Sequence, residues 1–159
     1  MPTSQMDGLR VALEMEKRGK SLYERALLLA EDEELRVLLR DLIAEETKHY
    51  TQFSAMMEVF EVPDAGLDAK TLEASKAADF FYPGGLMQVA MDGALESCEA
   101  LLDQAMQAER DSIAFYGQML SFVTELTQQE IVMRIIREEM THLRTLTERK
   151  TAREMKEDE

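Results

Sequence analysis

Apolar residues recur along this chain at alternating intervals of three and four, the spacing that lays one face of an α-helix against a core. The first such stripe reads Leu9, Ala12, Leu13, Glu16, Gly19, Tyr23, Ala26 and Ala30, and predicts a helix from about Gln5 to Ala30 capped by Thr3 or Ser4. The acidic run Glu31-Asp32-Glu33-Glu34 reads as a turn leading into a second helix, because carboxylates favour the positive end of a helix dipole. That helix carries Leu35, Leu38, Leu42, Glu46, His49, Phe53 and Met56 or Met57 along its inner face. A third stripe, Cys98, Leu101 or Leu102, Ala105, Glu109, Ser112, Tyr116, Met119 and Val123, predicts a helix over about Ser97–Phe122. The fourth runs through Ile131, Val132, Ile135, Glu139, His142, Leu143 and Leu146. Thr127-Gln128-Gln129-Glu130 reads as a capping box at its start, and the charged stretch from Thr147 to Glu159 reads as fraying, solvated helix.

Between the second and third helices the pattern changes. Pro63, Gly66 and Phe80-Phe81-Tyr82-Pro83-Gly84-Gly85 interrupt any long helix, leaving room for a short one near Leu72–Ala78. The apolar stretch from Phe80 to Met91 is expected on the outer wall of the fold or in a subunit interface. The organisation predicted is therefore one all-α domain over residues 1–159: a helical hairpin at 5–60, a long crossover at 61–93 and a second hairpin at 94–152. Composition agrees, with only three Pro, seven Gly and no Trp in 159 residues.

Glutamate and histidine break every one of these stripes, and they do so twice in the same order. Glu16, Tyr23, Glu46 and His49 are each followed 93 positions later by Glu109, Tyr116, Glu139 and His142. A lone glutamate on an apolar face usually marks its edge, and a lone histidine is usually a satisfied core residue. The shared offset argues instead for an internal duplication of one functional unit. Three residues along a helix separate two side chains by roughly 60° around the axis and about 4.5 Å along it, so the Glu and His of each Glu-x-x-His converge on one point. Two helices giving a lone Glu and two giving Glu-x-x-His supply six ligands for a pair of metal ions. Carboxylate oxygens with one imidazole each suit iron or manganese better than thiol-seeking metals. Four carboxylates in an apolar core would otherwise resist ionisation, through desolvation and mutual repulsion, and two divalent ions cancel their charge. Glu45 and Glu138, one position earlier and roughly 100° around the helix, are expected to point away from that centre and to be dispensable; a rotation of the helices would exchange them for the assigned ligands. Tyr23 and Tyr116, two turns beyond the lone glutamates, read as hydrogen-bond partners that orient a carboxylate.

A net charge of −14 argues against nucleic acid as a partner and suits cations. No segment reaches the roughly 18 apolar residues of a membrane span, and the N-terminus lacks a basic start and apolar run, so a soluble cytoplasmic protein is expected. One cysteine excludes an internal disulfide or a Cys-x-x-Cys metal pair; Cys98 reads as a small buried hydrophobe.

The duplicated Glu/Glu-x-x-His set resembles the rubrerythrin-like branch of the ferritin-like superfamily, over residues 5–150 and apart from the crossover. The resemblance implies a ferritin-like four-helix bundle of two hairpins holding two Fe ions, with Mn as the other choice. It implies Glu46 and Glu139 as bridging carboxylates, Glu16 and Glu109 as terminal or shifting ones, His49 and His142 as one nitrogen ligand per ion, and Tyr23 and Tyr116 as the neighbouring tyrosines. The implied activity is reduction of peroxide or O2, or oxidation of Fe(II), by a homodimer. Two departures stand out: Met106 occupies the place where peroxide-reducing members carry an additional Glu, and a rubredoxin domain is missing, so an external electron donor is implied. Bacterioferritin has the same ligand types, which makes iron storage the alternative; its crossover is shorter than the interval from His49 to Glu109 here.

Overall fold

A computed structural model describes residues 5–58 and 97–158. The expected cap at Thr3 or Ser4, the crossover with its short helix near Leu72–Ala78, and the placement of Phe80–Met91 lie outside the described residues. Four helices are present: α1 (Gln5–Leu29), α2 (Glu33–Glu58), α3 (Cys98–Met119) and α4 (Leu126–Glu157). No strand occurs among the described residues. The helices α1 and α2 form one hairpin and α3 and α4 the other; the hairpins meet where α1 packs on α3 and α2 on α4. This is the all-α, ferritin-like four-helix bundle expected.

The stripes become the core. Leu9, Ala12, Leu35, Leu39, Leu42, Phe53, Leu101, Leu102, Ala105, Val132, Ile135 and Leu146 are all buried. Removal of such a side chain from water contributes roughly 1.5–3 kcal/mol for a Leu, Ile or Phe, so this core is the main source of stability. In α2 the inner position is Leu39, fully buried, whereas Leu38 is only partly covered. Leu39 lies seven residues before Glu46, two turns along the same face, so the stripe and the ligand share one register.

Both second helices of the hairpins are capped by a carboxylate. In α2 the Asp32 Oδ1 accepts from the Glu34 N–H at 3.0 Å. In α4 the cap is Glu125, whose oxygens accept from the N–H groups of Thr127 and Gln128 at 3.0 and 2.9 Å. The expected capping box at Thr127 is therefore displaced by two residues. A carboxylate both bonds the free N–H groups and meets the positive end of the dipole, which a threonine hydroxyl does not. Asp32 and Glu125 are themselves 93 positions apart, so the duplication extends to the caps. At the other end α4 continues as helix to Glu157 rather than fraying. Arg149 bridges to Asp32 and Glu34, Lys150 to Asp103, and Arg153 to Glu99, so this last part of α4 is tied to the start of α2 and to α3. The C-terminus of α1 is closed from α2: Arg36 donates to the carbonyls of Leu27 and Ala30.

Candidate metal centre

Glu16, Glu46, His49, Glu109, Glu139 and His142 all project into the middle of the bundle, and all are buried. Their donor atoms fall into two overlapping groups, Glu16/Glu46/His49/Glu139 and Glu46/Glu109/Glu139/His142, each with one ligand atom per residue and all within 4.8 Å of one another. Glu46 and Glu139 belong to both groups; Glu16 and Glu109 to one each. The imidazoles lie face to face, with ring centroids 5.8 Å apart. His49 Nδ1 lies 2.7 Å from Glu139 and 3.6 Å from Glu16. His142 Nδ1 lies 3.5 Å from Glu109 and Glu139 and 3.7 Å from Glu46.

One atom from each of the six residues is buried without a hydrogen-bond partner: Glu16 Oε2, Glu46 Oε1, His49 Nδ1, Glu109 Oε2, Glu139 Oε1 and His142 Nδ1. Even the 2.7 Å approach of His49 to Glu139 is not a hydrogen bond. Buried polar atoms are nearly always paired, so six unpaired ones facing the same space form a donor set suited to cations. With four carboxylates and two imidazoles, that set fits a pair of divalent ions of the iron or manganese type.

The tyrosines connect the two halves. Tyr116 donates to Glu16 at 2.5 Å, and Tyr23 donates to Glu109. Each thus holds the lone glutamate of the opposite repeat rather than that of its own helix. Both rings are fully buried, and Phe53 packs against Tyr116 with centroids 5.0 Å apart. Burial first, and then the carboxylates around them, push both phenols well above their ordinary value, so they remain donors.

Crowding of charge governs the other groups. Burial and then neighbouring carboxylates raise Glu16, Glu46 and Glu109 above the ordinary glutamate value. For Glu139 burial acts in the same direction, but the nearness of Glu109, His142 and His49 outweighs it and holds this carboxyl below its ordinary value. Burial alone would lower the imidazoles; Glu139 and Glu16 bring His49 up to about 11, and Glu109 and Glu139 bring His142 to about 10. Without a cation, protons take its place in this cluster.

Glu45 and Glu138 join neither central ligand group, as expected, but Glu138 is not without a contact: its Oε2 lies 2.7 Å from the outer nitrogen of His49, Nε2, and its side chain is one-quarter exposed. Glu45 lies beside the same pair, the three offering ligand atoms within 4.8 Å of one another. Residues three apart converge on a helix, but Glu138 and His49 sit on different helices, so only the packing of α2 against α4 brings them together. Gly19, a small member of the α1 stripe, faces the Glu46 carboxylate, a contact also invisible along the chain. Met106, where an additional glutamate would stand, is buried beside the Thr147 hydroxyl. Cys98 is partly buried, with Arg153 Nη1 3.7 Å from its sulfur.

A four-helix bundle whose centre gathers carboxylates and histidines from all four helices defines the class: a ferritin-like protein with a site compatible with a di-iron centre. The model of the Rubrerythrin family matches residues 7–150, and the chain belongs to that family. Comparison with curated proteins and with solved structures yields no significant match.

Proposed function

We propose that this chain is a non-haem di-iron, or di-manganese, carboxylate oxidoreductase of rubrerythrin type. Its reaction is reduction of peroxide or O2, or oxidation of Fe(II). The observation that carries this reading is the pair of ligand groups interlocked through Glu46 and Glu139. Glu16, Glu46, His49 and Glu139 would hold one ion, and Glu46, Glu109, Glu139 and His142 the other. Bound there, two iron or manganese ions would offer redox chemistry toward a small oxidant. The protein's part is to hold these ligands in place: Tyr116 and Tyr23 fix Glu16 and Glu109 by hydrogen bonds, and the apolar layers around Phe53 and Leu146 keep bulk water from the carboxylates. Held well above their ordinary value, the phenols keep their protons and stay hydrogen-bonded to the lone glutamates.

The electron donor in this reading lies outside these 159 residues, whose one cysteine cannot build a thiolate metal centre. The strongly acidic chain acts in the cytoplasm as a homodimer, without nucleic acid or membrane as partner. No helix among the described residues is long and apolar enough to cross a membrane.

Metal analysis of protein reconstituted with excess Fe(II), followed by rapid mixing of the reduced form with H2O2 and with O2, tests the proposal. Two ions per chain and oxidation by at least one oxidant are expected; a stoichiometry of one or zero overturns it. Mass in solution separates it from iron storage, because a storage shell requires many subunits.

A further inference from the structure

The repeat predicts two equal halves, yet the halves differ at the outer edge of the histidines. A carboxylate oxygen can only accept, so the 2.7 Å contact between His49 Nε2 and Glu138 Oε2 requires the proton on Nε2. The other ring nitrogen, Nδ1, then turns toward Glu16 and Glu139, inside the donor set. Lys48 Nζ stands 3.6 Å from the second Glu138 oxygen and holds that carboxylate from the surface side. The 93-residue offset makes Glu45 the counterpart of Glu138 and would pair it with His142. Among the described residues no carboxylate meets the outer nitrogen of His142. That ring borders a surface cleft lined also by Glu45, Lys48, Arg134, Arg137, Glu138 and Thr141, and of the two histidines only His49 has its outer nitrogen within hydrogen-bond distance of the Glu138 carboxylate. His49 is fully buried, whereas His142 retains some exposure.

From this asymmetry we infer that Glu138 is a positioning residue. Its hydrogen bond sets the tautomer and orientation of His49, so that the Glu16/Glu46/His49/Glu139 half takes the more tightly held of two ions. A carboxylate on the outer nitrogen raises the basicity of the inner one and removes the ring's freedom to turn; loss of such a partner typically weakens metal binding by about 10–100-fold. The inference rests on the metal-centre reading above and adds an order of filling to it. It also separates Glu138 from Glu45, which the sequence treats alike.

Titration of the metal-free protein with Co(II), followed by absorption and calorimetry, reads the two binding steps. Glu138→Ala is expected to weaken the tighter step by about tenfold or more. Glu138→Gln, which keeps an acceptor oxygen, restores most of the affinity, and Glu45→Ala titrates like the unmodified chain. In the diamagnetic Zn(II)-loaded protein, nitrogen-15 NMR should show a slowly exchanging proton on His49 Nε2. Glu138→Ala loses this protection and Glu138→Gln keeps it, an outcome that a merely structural role would not produce. Unchanged Co(II) steps in Glu138→Ala overturn the inference and leave the two-metal reading standing. An unmodified chain that takes up no metal overturns that reading, and the inference with it.

Discussion

Replacing Gly19 with alanine should make the metal-free chain more stable and its metal binding weaker. Gly19 lies inside α1, one turn after Glu16, where glycine costs a helix roughly 0.5–1 kcal/mol relative to alanine. A Cβ there would stand 2.7 Å from Glu46 Oε2, while ordinary van der Waals contact begins at 3.4 Å, so the oxygen would have to retreat by about 0.7 Å. In the metal-free protein the obstructing atom is the free end of a flexible side chain, and a change of rotamer clears it at small cost. The helix gain then dominates, with a rise in melting temperature of about 1–4 °C for a domain of this size. With metal bound, Glu46 cannot step aside, because ligand distances tolerate only about 0.2 Å. A displacement more than three times that tolerance should weaken binding by about 10–100-fold, or about 1.4–2.8 kcal/mol.

The assay is a pair of thermal melts, with and without Mn(II), together with a calorimetric titration of the metal-free protein. Gly117 in α3 provides the control: no atom among the described residues lies within 4 Å of the Cβ it would carry. Gly117→Ala should therefore raise stability and leave metal binding alone. A Gly19→Ala chain that binds Mn(II) as tightly as the unmodified one would refute the reasoning. So would one whose metal-free form melts several degrees lower, since the carboxylate would then not be free to move.

Glu46→Ala removes a residue common to both ligand groups and should abolish uptake of both ions, whereas Glu16→Ala touches one group and should leave about one ion per chain by metal analysis. The metal-free Glu46→Ala chain should also be more stable than its parent, because it loses a buried acid raised by burial and by three neighbouring carboxylates. Tyr116→Phe leaves Glu16 without its buried donor and should cost about 1–3 kcal/mol in chemical denaturation of the metal-free protein, with Tyr23→Phe acting equally on Glu109. For pH, His49 and His142 hold protons up to about 11 and about 10 in the fold against 6.5 when unfolded, so their contribution is complete below pH 6.5 and is lost as pH rises through those values. The raised carboxyls of Glu16, Glu46 and Glu109 act in the same direction from pH 4.5 upward, while Glu139, held low, contributes above 4.5 and loses its contribution only as acid protonates it. Calorimetry of the metal-free protein from pH 6.5 to 10 should therefore show a falling melting temperature. The increment gained on adding metal should grow over the same range, because metal displaces those protons.

By itself the sequence determined the four helices, their inward stripes and the membership of the central cluster, because each rests on periodicity along a chain or on the 93-residue offset. Glu16 and Glu109 interrupt apolar faces, and an interruption that recurs in register with Glu-x-x-His can be read without coordinates. The offset also holds information that local patterns mask: Asp32 and Glu125 cap their helices in the same way, whereas the capping-box pattern points to Thr127. Only the tertiary structure decided contacts between helices. That Tyr23 bonds Glu109 and Tyr116 bonds Glu16, each across the bundle, follows from the packing of α1 on α3. That Glu138 reaches His49 while Glu45 has no matching place at His142 follows from how α2 lies on α4. A repeat in sequence specifies identical ligands twice over, but the surroundings of each ligand are set by shifts of side chains on neighbouring helices, and no spacing along one helix encodes them.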